Sequence, residues 1–136
     1  PEIWRRVMSV NLDGTFHFVH PVARLMAARG AGSIVIMASA SSRTGSLDLS
    51  VYGSSKTALH GLTRCMALEL GPLGVRVNAV SPGVVDTSMW EMIDRERGRL
   101  LGKLPRVVGI TRRRIALIAC PGRKRICAGE NLVIPS

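Results

Sequence analysis

Two short apolar runs rich in β-branched residues, "SIVIMAS" at 33–39 and "VRVNAVSP" at 75–82, constrain this chain more than any other feature. Each is bracketed by turn signals, and a long helical pattern separates them. Runs of this length and composition suit buried strands of a parallel sheet. The first follows a stretch in which Ile3, Val7, Val10, Phe18, Val22, Leu25 and Met26 recur at helical spacing, so a helix is expected over 2–29. Pro21 should bend or interrupt it, because proline removes a backbone donor and clashes with the preceding turn. Gly30 is placed to end it in a left-handed cap.

The polar segment "ASSRTGSLDLS" reads as a loop, with Ser50 as cap of a second helix that carries Ala58, Leu59, Leu62, Cys65, Met66 and Leu70 and stops at Gly71-Pro72. Helix, strand, helix, strand with short connections is the rhythm of a parallel α/β sheet covered on both faces. In such sheets the chemistry gathers beyond the carboxyl ends of the strands. Here those ends are Ser39 and Ser81-Pro82-Gly83, and they should be neighbours. Residues 88–101 read as a short amphipathic helix or lid. Further on, "RRRIALIAC" suggests a helix, "CPGRK" a turn and "ENLVIP" a last strand.

Charge separates the chain into two parts. Residues 1–96 hold nine Lys/Arg against eight Asp/Glu, whereas residues 97–136 hold ten Lys/Arg against Glu130 alone, so the net +10 belongs to the tail. Arg112 to Arg114 and the "RKR" at 123–125 are most simply solvated charges, and nucleic acid is not an expected partner. Cys65, Cys120 and Cys127 form no CxxC pair; an odd count with no signal-like start fits reduced thiols and a cytoplasmic setting, with no metal site. His17 and His20 stand three apart without a further ligand and read as surface or interface groups, and His60 as solvent-facing. No apolar stretch is long enough to span a membrane. The start at Pro1, inside helix-like sequence, is what a fragment would show.

The only tyrosine, Tyr52, precedes Lys56 by four residues. That spacing puts both on one helix face. A free phenol titrates near pH 10 and is a poor acid-base catalyst at neutral pH, but a lysine ammonium within about 4 to 6 Å favours its anion. A serine hydroxyl at a strand end, such as Ser39, can hydrogen-bond a carbonyl oxygen as charge develops on it. Any one of these elements alone would be commonplace.

Together with their surroundings they form a pattern. "VNLDGTF" at 10–16, "SIVIMASAS" at 33–41, "YGSSK" at 52–56 and "RVNAVSPGVVDT" at 76–87 resemble, in order and spacing, the short-chain dehydrogenases/reductases (SDR). The resemblance covers about residues 1–90. It implies a Rossmann-like doubly wound parallel sheet, incomplete here, with 1–101 the C-terminal part of that domain and 102–136 a divergent basic tail. It also implies an NAD(P)-dependent oxidoreductase that interconverts carbonyl and alcohol by hydride transfer. Asn11, Ser39, Tyr52 and Lys56 would be its catalytic tetrad. Tyr52 would exchange the proton, Ser39 hold the substrate oxygen, Lys56 activate Tyr52 and bond the nicotinamide ribose, and Asn11 order a relay water. Pro82, Gly83, Val84 and Thr87 would line the nicotinamide, and Asn78 would tie strands together.

The family's glycine-rich turn, which cradles the cofactor pyrophosphate, has no counterpart here, since "GAG" at 30–32 follows a helix and precedes a strand. Only the nicotinamide half-site of NAD or NADP is therefore expected, and little turnover from these 136 residues alone. The substrate stays open among 3-oxoacyl thioesters, sugars, steroids and small ketones. The resemblance further implies a parent homodimer or homotetramer built through helices 2–29 and 50–71. Trp90, with Met89 and Met92, falls where the family's substrate loop would lie, and packing and substrate contact are equal readings. The competing reading is an inactive remnant or basic binding module.

Overall fold

The computed structural model describes residues 1–83, 85, 88–101 and 115–119. Its elements are α1 (Glu2–Met8), a π-helical turn (Ser9–Asp13), α2 (Gly14–Arg29), β1 (Gly32–Met37), α3 (Ser41–Thr44), α4 (Ser50–Leu70), a 3₁₀ turn (Gly71–Leu73), β2 (Val75–Pro82), α5 (Ser88–Leu101) and β3 (Ile115–Ala119). β1 and β2 pair in parallel, with Ile34 opposite Val77 and Ile36 opposite Ala79. β3 runs antiparallel to β2, so the sheet order is β1-β2-β3.

The pleat sends alternate residues to opposite faces. Ile34, Ile36, Ala38, Val75, Val77 and Ala79 share one face and form the core with Val19 and Ala23 of α2 and Leu59 and Met66 of α4. Both long helices therefore lie on the same side. Val35 and Met37, on the other side of β1, are 56% and 55% exposed. Among the described residues that face of β1 is thus open, while the helices cover the other. The β1–α4–β2 crossover puts α4 on the face that α2 also covers. The ends of β1 and β2 opposite the site meet tightly: a Cβ on Gly74, whose φ is +77°, would stand 2.0 Å from the Gly30 carbonyl oxygen. Gly30 caps α2 in the left-handed region, as its position predicts.

Four local expectations are corrected. The irregularity in the first helix is the π turn at Ser9–Asp13, whereas α2 runs on through Pro21. Pro21 is exposed, where the carbonyl it leaves without an N–H partner can meet water. Ser50 is the first helical residue of α4 and makes no side-chain cap bond. The polar loop after β1 contains the helical turn α3. Residues 115–119 form a strand in place of a helix, because β2 offers them a free edge for hydrogen bonding. The expected turn at 120–124 and strand at 130–135 lie outside the described residues.

Candidate active site

Beyond Met37 the β1 backbone stays tied to β2. Ala38 N–H donates to Val80 O at 2.8 Å and Ala40 N–H to Pro82 O at 2.9 Å. These two bonds flank Ser39 and bring the strand ends together, as expected. The Ser39 hydroxyl lies 2.9 Å from Ser41 Oγ and accepts from the Ser41 backbone N–H at 3.3 Å. The first turn of α3 thus fixes where that hydroxyl points.

Tyr52 and Lys56 occupy successive turns of α4, both half-buried. The Lys56 ammonium donates to Met37 O at 3.0 Å and stands 5.8 Å from the Tyr52 ring centroid. Burial holds Lys56 below the usual lysine range, since desolvation penalises the charged form. One cation therefore joins the helix bearing the tyrosine to the strand end bearing the serine.

Asn11 sits in the π turn. Such turns widen the helix by one residue and change where side chains point. Asn11 Nδ2 donates to Ser55 Oγ at 3.0 Å, and Ser55 Oγ donates in turn to Tyr52 O at 2.7 Å. Asn11 thus reaches α4 through Ser55, which is fully buried. Pro82 and Gly83 close β2 beside Ala40. Val84, Asp86 and Thr87 lie outside the described residues, as do the side chains of Met89 and Trp90. Asn78 is buried in β2, opposite Val35 of β1, and its Oδ1 has no partner among the described residues.

The sequence reading of His60 is overturned. It is only 4% exposed, and its Nε2 lies 2.9 Å from Ser81 Oγ and 3.3 Å from Ser42 Oγ. The signal was in the spacing: Tyr52, Lys56 and His60 stand at i, i+4 and i+8 on one helix face. His17 and His20 are exposed, and Phe16 stacks on His20 at 5.4 Å between centroids. Among the described residues no group of three or more metal-ligating side chains occurs, Cys65 is a free exposed thiol, and no helix is long and apolar enough to cross a membrane.

This arrangement defines an incomplete α/β protein of the Rossmann type, with polar side chains collected beyond the carboxyl ends of two parallel strands. The chain belongs to the short chain dehydrogenase family, whose profile matches residues 1–98. It is 39% identical over 93 residues to a 3-alpha-(or 20-beta)-hydroxysteroid dehydrogenase of Mycobacterium tuberculosis, covering 68% of this chain and 36% of that one. Among solved structures it is similar to an NAD+-bound xylitol dehydrogenase, with a TM-score of 0.67 and 37% identity over 72% of this chain and 39% of the other. It is also similar to a gluconate 5-dehydrogenase from Burkholderia cenocepacia in complex with NADP and tartrate, with a TM-score of 0.66 and 32% identity over 74% and 40% of the two chains. The chain spans about a third of the length of the curated relatives first matched.

Proposed function

We propose that these residues form the catalytic, nicotinamide-side portion of an NAD(P)-dependent oxidoreductase that interconverts an alcohol and a carbonyl in a small molecule. The observation that carries this reading is the Lys56 ammonium, bonded to the end of β1 and 5.8 Å from the Tyr52 ring centroid. The relatives in complex with NAD+ and NADP support the choice of cofactor class. When bound, the nicotinamide supplies or accepts the hydride. Tyr52 Oη gives a proton to the substrate oxygen in reduction and takes it back in oxidation. The Ser39 hydroxyl turns from Ser41 to donate to that oxygen as charge builds on it. Lys56 supplies positive charge beside the phenol, and Asn11 braces the helix that carries both groups through Ser55.

Within this reading residues 1–101 carry the site, and 102–136 are a basic segment that adds β3 to the sheet. Pro82 and Gly83, with Val84 and Thr87, would meet the nicotinamide, and the adenosine side would fall to the length of the relatives that this chain does not match. Ile3, Val10, Phe18 and Leu25 are exposed at seven- to eight-residue spacing along α1 and α2, which supports self-association through helices 2–29 and 50–71.

Reduced nicotinamide mononucleotide tests the half-site directly on the 136-residue chain. Titrated into ¹⁵N-labelled protein, it should shift resonances of Ser39, Tyr52 and Lys56, and the response should be lost in Lys56→Met. A response confined to the basic tail, or none at millimolar probe, refutes the reading. Oxidation of NADH or NADPH with a panel of ketones should show little turnover from this chain alone; turnover abolished by Tyr52→Phe would overturn that part.

A further inference from the structure

We propose that His60 is a positioning residue for Ser39, acting as an Nε2–H donor that clasps α3 and the end of β2 together. The inference starts from proton counting. Ser42 Oγ contacts the Ser39 carbonyl oxygen, which can only accept, so the single Ser42 hydroxyl proton is committed there. Ser42 Oγ can then only accept from His60 Nε2, 3.3 Å away. A hydrogen bond across that gap requires the proton to sit on Nε2, and the same N–H also faces Ser81 Oγ at 2.9 Å. The opposite tautomer would set a bare nitrogen lone pair against the Ser42 oxygen.

The connection reaches Ser39 from two sides. Ser42 holds its carbonyl, and Ser41, one residue earlier in the same turn, engages its hydroxyl. Ser81 lies on β2 between Val80 and Pro82, the two residues whose carbonyls bind the amides on either side of Ser39. An imidazole bridging Ser42 and Ser81 therefore fixes the turn and the strand that together place the Ser39 hydroxyl. Among the described residues, the charges that act on the ring are Arg64, one turn on along α4, and Arg43 on α3. Desolvation, then the Arg64 and Arg43 charges, hold His60 below the usual histidine range, so it is a neutral ring with one N–H to place.

That Ser39 is worth positioning rests on the oxidoreductase reading; the coupling of His60 to Ser39 does not, and the experiment reads the coupling. In a long-range ¹H–¹⁵N correlation on the 136-residue chain at about pH 8, well above the ordinary histidine pKa, His60 should appear as the Nε2–H tautomer. A dominant Nδ1–H form, or averaging between the two, overturns the proposal without any substitution. His60→Leu should shift the Ser39 and Ser41 amide resonances, while His60→Gln, which keeps an N–H donor, should restore them toward the wild-type positions. In a Ser42→Ala background His60→Leu should shift Ser39 less than it does alone, since only the Ser81 contact is left to lose. Ser39 resonances indifferent to His60→Leu, or an undiminished effect in the Ser42→Ala background, also overturn it. A chain that shows this coupling but ignores reduced nicotinamide mononucleotide keeps the clasp and loses the enzymatic reading.

Discussion

Replacing Ser55 by alanine isolates the contact that ties the π turn to the helix of Tyr52 and Lys56. Ser55 Oγ is fully buried, accepts from Asn11 Nδ2 at 3.0 Å and donates to Tyr52 O at 2.7 Å. Its removal deletes both hydrogen bonds, each worth about 0.5–1.5 kcal/mol net because water can reach the half-buried Asn11 amide, so the cost should be about 1–3 kcal/mol in all. Asn11→Ala removes the bond between the two from the other end. It leaves Ser55 with its proton still placed on Tyr52 O, so its cost should be about 0.5–1.5 kcal/mol. Once Asn11 is gone, Ser55→Ala loses only the bond to Tyr52 O. The double variant should then cost less than the sum of the singles by roughly 1 kcal/mol. Urea unfolding followed by circular dichroism reads this. With a slope of about 1–3 kcal/mol per molar, the Ser55→Ala midpoint should fall by roughly 1 M at constant slope. Strictly additive costs, or a Ser55→Ala midpoint equal to wild type, would mean that Asn11 and Ser55 are not energetically joined.

The depressed His60 pKa fixes the sign of one pH effect. The folded ring resists a proton that the unfolded chain accepts near the usual value of about 6.5, so the unfolded state binds more protons between the two pKa values. Stability should be complete above about pH 7 and fall as pH drops below the ordinary histidine range. Urea midpoints measured from about pH 7.5 down to 5 should show this loss, and His60→Gln should flatten it in that window. Phe18, 73% exposed in the middle of the α1–α2 apolar stripe, predicts that Phe18→Glu lowers the sedimentation-equilibrium mass of any assembled form. An unchanged mass distribution would exclude this stripe as the contact.

Sequence legibility followed how local the physics was. β2 occupies 75–82 as read, because a β-branched run closed by Pro82-Gly83 has only one simple way to lie. The α4 helix ends at Leu70 before Gly71-Pro72 for a similarly local reason. The strand at 115–119 is not legible because so short an apolar run, after Arg114, carries no period that separates helix from strand. The π turn is not legible because nothing in "SVNLD" demands a wider turn; the turn packs against α4, and the Asn11–Ser55 bond crosses that contact.

By itself the sequence determined the strand, helix, strand order, the strand ends as the place for chemistry, and the shared face of Tyr52 and Lys56, since these follow from side-chain period and chain punctuation. Only the tertiary structure decided that both long helices cover one side of the sheet, that Lys56 spends a hydrogen bond on Met37 O, and that His60 is buried between two serines. Those outcomes depend on which surfaces remain for each element to bury once the others have paired, and no local pattern of residues contains that information.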